Sequence, residues 1–342
     1  MTPPERSPAT DGAAAHWHPS ASPAMLAARA RLLARIRGFF AGRGVLEVET
    51  PILSRAASTD PALGSLRTRW SGPGARDGDA LYLHTSPELA MKRLLAAGSG
   101  PIYQVCKVFR DDERGRLHHP EFSLLEWYRP GWDADALMTE VAELVRVVLE
   151  RPGIEAERVR YRDLFLEHCG IDPWRSDVPA LRDAAARLGL SDAGRLDLDC
   201  DGWLDLLVTR CIEPELGRGR MTFVHDYPPS QAALARIANL GDGAGSIQVA
   251  ERFELYIDGV ELANGFHELT DAGEQRARFE ADLVARAATG QPAVPVDEAF
   301  LAALEAGMPD CAGVALGLDR LLMAAAGARH IDEVLAFPVE RA

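Results

Sequence analysis

The chain has 342 residues, enough to bury a sizeable core as one large domain or two small ones. With 47% hydrophobic and 26% charged residues it reads as an ordinary globular protein, and no apolar run approaches the roughly 20 residues of a membrane span, so a cytoplasmic protein is expected. A net charge of −14 argues against a dedicated polyanion-binding surface, and five scattered cysteines without C-x-x-C spacing argue against a zinc site or a disulfide framework.

Residues 1–21, rich in Pro, Ala, Ser and Gly, read as a flexible tail ahead of one domain over 22–342. Ser22-Pro23 supplies an N-cap and a first-turn proline for a helix whose apolar residues, from Met25 to Phe40, recur at helical spacing until Gly42 or Gly44. Val45 to Leu53 follows as a strand. After a Gly/Ser/Asp-rich connection, LYLHTSPELAMKRLL (81–95) predicts a short strand, a Thr85-Ser86 cap with Glu88 in the first turn, and a helix through Leu95.

Residues 107–129 are the most informative stretch. Ile102 to Phe109 and Glu121 to Tyr128 predict an antiparallel hairpin around a charged tip. Alternation puts Phe122, Leu124, Glu126 and Tyr128 on one face and Glu121, Ser123, Leu125 and Trp127 on the other. Arg110 offers a bidentate phosphate fork and Phe122 a face on which a base can stack, which suits a phosphate-bearing aromatic ligand. An ordinary solvated hairpin would carry similar charges to block edge pairing.

A helix is predicted over 134–150. Residues 151–220 read as helical and loop-like packing without chemistry, and a strand through Phe223-Val224 follows. In residues 251–269, Asp258-Gly259 between two β-prone runs predicts a two-residue hairpin that pairs Ile257 with Val260 and Tyr256 with Glu261. Glu254 and Glu261 then share a face as diagonal neighbours, about 7–8 Å apart at the backbone. Two carboxylates so placed suit Mg²⁺ bridging phosphate oxygens, or are simply two exposed acids. For Asn264 and Glu268 to join them, a twist or bulge at Asn264-Gly265 is needed. Helices are predicted over 271–289, capped by Thr270 or Asp271, and over 297–307. Cys311 to Arg320 is a Gly-spaced strand entering a helix, with Arg320 aimed at whatever binds there.

Phe109-Arg110 with Glu113, then His118-His119-Pro120-Glu121-Phe122 and Leu125-Glu126-Trp127-Tyr128, resembles motif 2 of class II aminoacyl-tRNA synthetases of the lysyl branch. Within that branch it is most like the elongation factor P–(R)-β-lysine ligase family. The helix and strand ending in Glu49-Thr50-Pro51 resemble motif 1, residues 261–268 the lysyl-type E-L-A-N-G-F-x-E signature, and residues 311–320 motif 3. The resemblance covers about 22–338. It implies an α+β fold, a mostly antiparallel sheet flanked by helices, normally a homodimer, without room before motif 1 for an N-terminal OB-fold.

The implied chemistry is activation of (R)-β-lysine or lysine by ATP and Mg²⁺ to an aminoacyl-adenylate, then transfer to a lysine ε-amine of elongation factor P, with no stable tRNA binding and no membrane. Alternatives are a truncated lysyl-tRNA synthetase-like enzyme acting on tRNA or another acceptor, and a non-catalytic regulator. The resemblance assigns Arg110, Glu261 and Arg320 to catalysis, and Asp111, Asp112, His119, Phe122, Leu262 and Gly317 beside them to ATP. Phe122 and Arg320 would sandwich adenine, and Glu254 and Glu261 would hold the metal. Ser86, Pro87, Glu88, Glu126, Tyr128, Asn264, Glu268 and Ala315 would line the amino-acid pocket. Two departures stand out: Asp112 holds the usual Glu position, leaving Asp112 or Glu113 as the motif 2 acid, and His119 holds the usual Asn. Ala315 replaces a glycine common in lysyl-tRNA synthetases, a change expected to favour a β-amino group.

Overall fold

Ser22 caps the first helix by accepting from the Met25 N–H, and Pro23 occupies the first turn, where its missing N–H costs nothing. This helix, α1 (Pro23–Ala41), buries Leu32, Ile36, Phe39 and Phe40 and stops at Gly42. The computed structural model describes residues 17–75, 79–190, 195–241 and 246–342, so most of the tail expected over 1–21 lies outside the described residues.

The single strand expected over 45–53 is instead two, β1 (Leu46–Glu47) and β2 (Leu53–Ser54), in different sheets. Val48 still donates to the Tyr103 carbonyl at 2.9 Å, but Pro51 has no N–H to continue a ladder, and the chain crosses there from one sheet to the other. β2, β3 (Arg67–Arg69) and β4 (Ala80–Leu83) form the small sheet, in the order β2-β4-β3. Helix α2 (Glu88–Ala96) follows. Its N-cap position is Pro87, not Thr85 or Ser86, and the Ser86 hydroxyl oxygen accepts from the Glu88 N–H at 3.0 Å.

The central hairpin forms as expected from β5 (Ile102–Phe109) and β6 (Glu121–Pro130), with Val108 opposite Phe122. α3 (Ala134–Leu149) is capped by Asp133. The next segment contains β7 (Ala156–Arg160), which the sequence reading did not place, and α4 (Tyr161–Cys169), α5 (Val178–Arg187) and α6 (Cys200–Leu207). These helices bury Tyr161, Phe165, Trp203 and Leu207 in a cluster of their own. β8 (Met221–Tyr227), β9 (Ile237–Leu240), β10 (Ile247–Ile257) and β11 (Val260–His267) come next. Asp258 and Gly259 both have positive φ, 50° and 72°, the requirement of the tight hairpin turn that Asp-Gly predicts. α7 (Ala272–Ala288), capped by Asp271, α8 (Glu298–Gly307), β12 (Cys311–Gly317) and α9 (Leu318–Ala326) complete the chain of main elements.

The large sheet runs β1-β5-β6-β12-β11-β10-β8-β7, with β9 on β10. Its centre is antiparallel, and only the outer pairs β1/β5 and β7/β8 are parallel. This is the α+β arrangement expected. Side chains on one face, among them Leu125, Trp127, Phe253, Leu255, Val314 and Leu316, pack under α1, α3 and α9 in the main core. No described helix is long and apolar enough to cross a membrane.

The packing on that face is tight at Gly265, where an added Cβ would overlap the ring of the fully buried Phe253. Gly265→Ala is therefore expected to destabilise the protein by about 1–3 kcal/mol, the range of an overpacked core, read as a lower midpoint in thermal unfolding.

Candidate active site

The face opposite the main core carries the site. β12 presents Gly313, Ala315 and Gly317 there, and its neighbours in register are Tyr128, Glu126 and Leu124 on β6. On the other side Ala315 pairs with Asn264 and Gly313 with Phe266. The small β12 residues lower the floor between two rows of functional side chains. A Cβ on Gly313 would overlap both Tyr128 and Glu268.

Convergence depends on one irregularity. Opposite the step Leu255/Tyr256, β11 carries an extra residue: Tyr256 pairs with Glu261, but Leu255 pairs with Ala263. The bulge therefore sits at Leu262, not at Asn264-Gly265. It brings Glu254, Tyr256, Glu261 and Asn264 to one face, and alternation carries Phe266 and Glu268 along.

These elements wall a cavity of ≈ 1570 Å³, large enough for a nucleotide and an amino acid together. Arg110, Glu113, His118, His119 and Phe122 of the central hairpin line it with Glu261, Leu262, Gly317 and Arg320. The Arg110 guanidinium lies 5.1 Å from the Phe122 ring and donates to Glu113 at 3.1 Å, while its Nε is buried without a hydrogen-bond partner. Arg320 is held by the carbonyls of Leu117 and Glu261, at 3.3 and 2.8 Å, and donates to His118 Nε2 at 2.7 Å. Burial and the neighbouring Arg320 cation hold the His118 pKa below its ordinary value, so the ring accepts as a neutral imidazole. Asp319, almost fully buried, pairs with Arg29 of α1 and accepts from the Ser123 N–H at 2.6 Å, tying the start of α9 to the first helix and the central hairpin.

The two departures from the family pattern now have places. Glu113, not Asp111 or Asp112, reaches Arg110 and faces the cavity, whereas Asp112 lies against Gly64. His119 uses both ring nitrogens within the protein. Nε2 accepts from the Val339 N–H at 2.8 Å, so Nδ1 carries the proton and donates to the Glu121 carbonyl at 2.6 Å.

At one end of the cavity stand carboxylates. Glu254 accepts from the hydroxyls of Tyr227 and Tyr256, at 2.7 and 2.5 Å, and pairs with Arg252. Burial, then Glu254, raises the pKa of Glu261, and burial, then Glu261 and Glu254, raises Glu213 to about 7. Crowded acids of this kind fit a hard divalent cation, which would relieve their repulsion while phosphate and water complete its shell. No group of three or more His, Cys, Asp or Glu side chains placed to hold a metal ion forms among the described residues.

The other end forms an acidic chamber: Ser86 and Glu88 line the cavity, and Glu126, Tyr128 and Glu268 are buried beside them. Glu126 is 2% exposed and accepts from Ser86 Oγ at 2.7 Å and from the Tyr128 hydroxyl at 2.6 Å. Burial, then the Glu88 charge, raises its pKa to about 8, and burial raises Glu268 to about 7. Pro87 only begins α2, while Asn264 accepts from Arg252 at 3.3 Å between the two ends.

Lys92, Arg252, Glu213 and His118 escaped the sequence reading. Lys92 and Glu88 stand at i, i+4 on a predicted helix, and Arg252 alternates with Glu254 and Tyr256 on a predicted strand, so both spacings carried a signal. Glu213 carried none, because the π-turn at 208–212 that aims it is invisible in the residue pattern.

The family described as tRNA synthetases class II (D, K and N) matches residues 14–341. An elongation factor P–(R)-beta-lysine ligase of Edwardsiella ictaluri is 53% identical over 328 residues, 96% of this chain and 99% of that protein. Proteins of the same name from Pectobacterium carotovorum (52% identical, 95% of this chain and 98% of that one) and Salmonella typhi (53%, 96% and 99%) are similarly alike.

Proposed function

This chain belongs to the class II tRNA synthetase family (D, K and N), and we propose that it is an ATP-dependent ligase joining (R)-β-lysine to elongation factor P. The observation that carries the reading is the division of the site. A cleft with Arg110, Phe122 and Arg320 suits a nucleotide, and beside it the half-buried Glu88 and the buried Glu126 and Glu268 suit the ammonium groups of a diamino acid. A buried acid paired with an ammonium rejects analogues that lack the charge, because the acid is then left unpaired.

In this reading Arg110 draws the substrate carboxylate and the α-phosphate together, and Phe122 and Arg320 flank adenine. The substrate carboxylate oxygen attacks the α-phosphorus, pyrophosphate leaves, and the ε-amine of a lysine of elongation factor P then displaces AMP from the acyl carbon. Mg²⁺, held by Glu254 and Glu261 with Glu213 beside them, would neutralise phosphate charge. Glu113 takes the part of the motif 2 acid by fixing Arg110. Positioning and charge neutralisation suffice, without a covalent enzyme intermediate.

Pyrophosphate exchange with (R)-β-lysine, α-lysine and no amino acid tests this. Greatest stimulation by β-lysine, followed by labelling of elongation factor P but not of tRNA, is the expected result; no exchange with either amino acid sinks the reading. The Ala315 methyl stands between Glu126 and Asn264 in register. Ala315→Gly is expected to shift the β- to α-lysine ratio toward α-lysine, and an unchanged ratio removes Ala315 from the selectivity.

We also propose a homodimer. Leu46, Ile52 and Leu53, around the motif 1 crossing, are 56%, 40% and 47% exposed, an apolar patch that a second copy would cover. Light scattering should then give about twice the 37.1 kDa chain mass, and Leu46→Asp should lower it toward one.

A further inference from the structure

Lys92 has no exposed surface, which for a lysine requires pairing. Its Nζ lies 2.6 Å from Glu88 Oε1 on the same helix and 2.6 Å from Glu268 Oε2 just beyond β11. The Phe300 ring on α8 lies 5.9 Å from the Lys92 Nζ. Glu126, the third acid, is bound only by the neutral hydroxyls of Ser86 and Tyr128.

Among the other titratable groups around the chamber, His267 can carry a charge: against burial, its bonds to Glu251 and Asp310 raise its pKa, and those two acids offset it. Burial holds the thiols of Cys106 and Cys311 and the Tyr128 phenol in their protonated forms. His267 bonds outward to Asp310 and pairs with Glu251. Three acids and one base are left, so the chamber at full ionisation presents two uncompensated negative charges.

We propose that Lys92 is a specificity-determining residue that sets the cation count of the amino-acid pocket. By taking up the charge of one acid out of three, it matches the chamber to a substrate with two ammonium groups. A mono-ammonium ligand leaves a buried carboxylate unpaired, and without Lys92 even a diamino acid would do so. This role rests on the diamino-acid reading above. Lys92 also favours the ionised forms of Glu126 and Glu268, against burial and Glu88.

The test is the pH dependence of kcat/KM in pyrophosphate exchange, for the diamino acid and for an analogue with a methyl in place of the distal ammonium. It compares wild type, Lys92→Met, Lys92→Arg and the double variant Glu88→Gln/Lys92→Met. In Lys92→Met the rising limb for the diamino acid should move alkaline by about one pH unit or more, giving about tenfold loss at neutral pH that closes above pH ~9. Lys92→Arg should keep the wild-type limb. The double variant, in which the charges again balance, should return it, whatever its absolute rate, and keep the preference for two ammonium groups.

An unmoved limb with unchanged preference in Lys92→Met would overturn the proposal, as would a double variant whose limb stays displaced. If Lys92→Met does not fold, the double variant decides alone. No exchange by the wild-type protein with the diamino acid would instead overturn the function itself.

Discussion

Replacing Arg110 with alanine is expected to lower pyrophosphate exchange by about 10³-fold, the scale of losing a preorganised charged donor from a transition state. The fold should tolerate the change. Arg110 sits at the end of β5 with its side chain 27% exposed, and it is held by Glu113 and the Phe122 face. Its melting midpoint should stay within about 2 °C, since partly exposed ion pairs contribute little. The guanidinium Nε is buried without a hydrogen-bond partner, and a charged donor left in that state is costly unless a ligand completes it. Arg110→Lys should recover less than a tenth of the loss, because an ammonium cannot reproduce a two-point fork (~10² of geometry in such sites). Wild-type rates in either variant would remove Arg110 from the reaction.

The second large effect is on pH. Glu126 in the free protein titrates near 8, because burial and the Glu88 charge disfavour its ionised form. An incoming ammonium needs the carboxylate ionised. Below about pH 8 binding must release that proton, so affinity for the diamino acid should rise about tenfold per pH unit as pH climbs from 6 toward 8, then level off. The sign follows from the raised pKa: acid keeps Glu126 neutral and weakens binding, and base restores it. Glu268, near 7, adds to the slope at the acid end. Glu126→Gln should flatten the profile and cost about 10² or more in affinity, since an amide offers the ammonium no charge. Calorimetry in buffers of different ionisation enthalpy reads the released proton directly. Binding that is independent of pH from 6 to 8 would place Glu126 outside the ammonium pocket.

Regular elements were legible where local chemistry decides them. Ser22-Pro23 started α1, Asp258-Gly259 made a tight turn, and alternation sorted Trp127 from Glu126. The expected strand over 45–53 failed because β-branched residues around Pro51 score as β whichever sheet they join. β7 was missed because its residues Ala156–Arg160 alternate only weakly and pair in parallel with the distant β8. Alternation along β6 put Phe122, Glu126 and Tyr128 on one face, the face on which Tyr128 and Glu126 meet Gly313 and Ala315. The coupling of Lys92 to Glu268 spans 176 positions of sequence, and only the fold brings them to 2.6 Å.

The bulge at Leu262 decides which way the rest of β11 faces. If the same residues were paired as an unbroken ladder beyond Tyr256–Glu261, Ala263 would sit opposite Glu254 and Asn264 opposite Phe253, turning Asn264, Phe266 and Glu268 into the packed interior while Ala263, Gly265 and His267 faced the substrates. Deleting Leu262 itself would leave Ala263 opposite Leu255 and Asn264 opposite Glu254, so the site face would keep its residues. In this hairpin the one unpaired residue, rather than any single functional side chain, decides which groups meet the substrates.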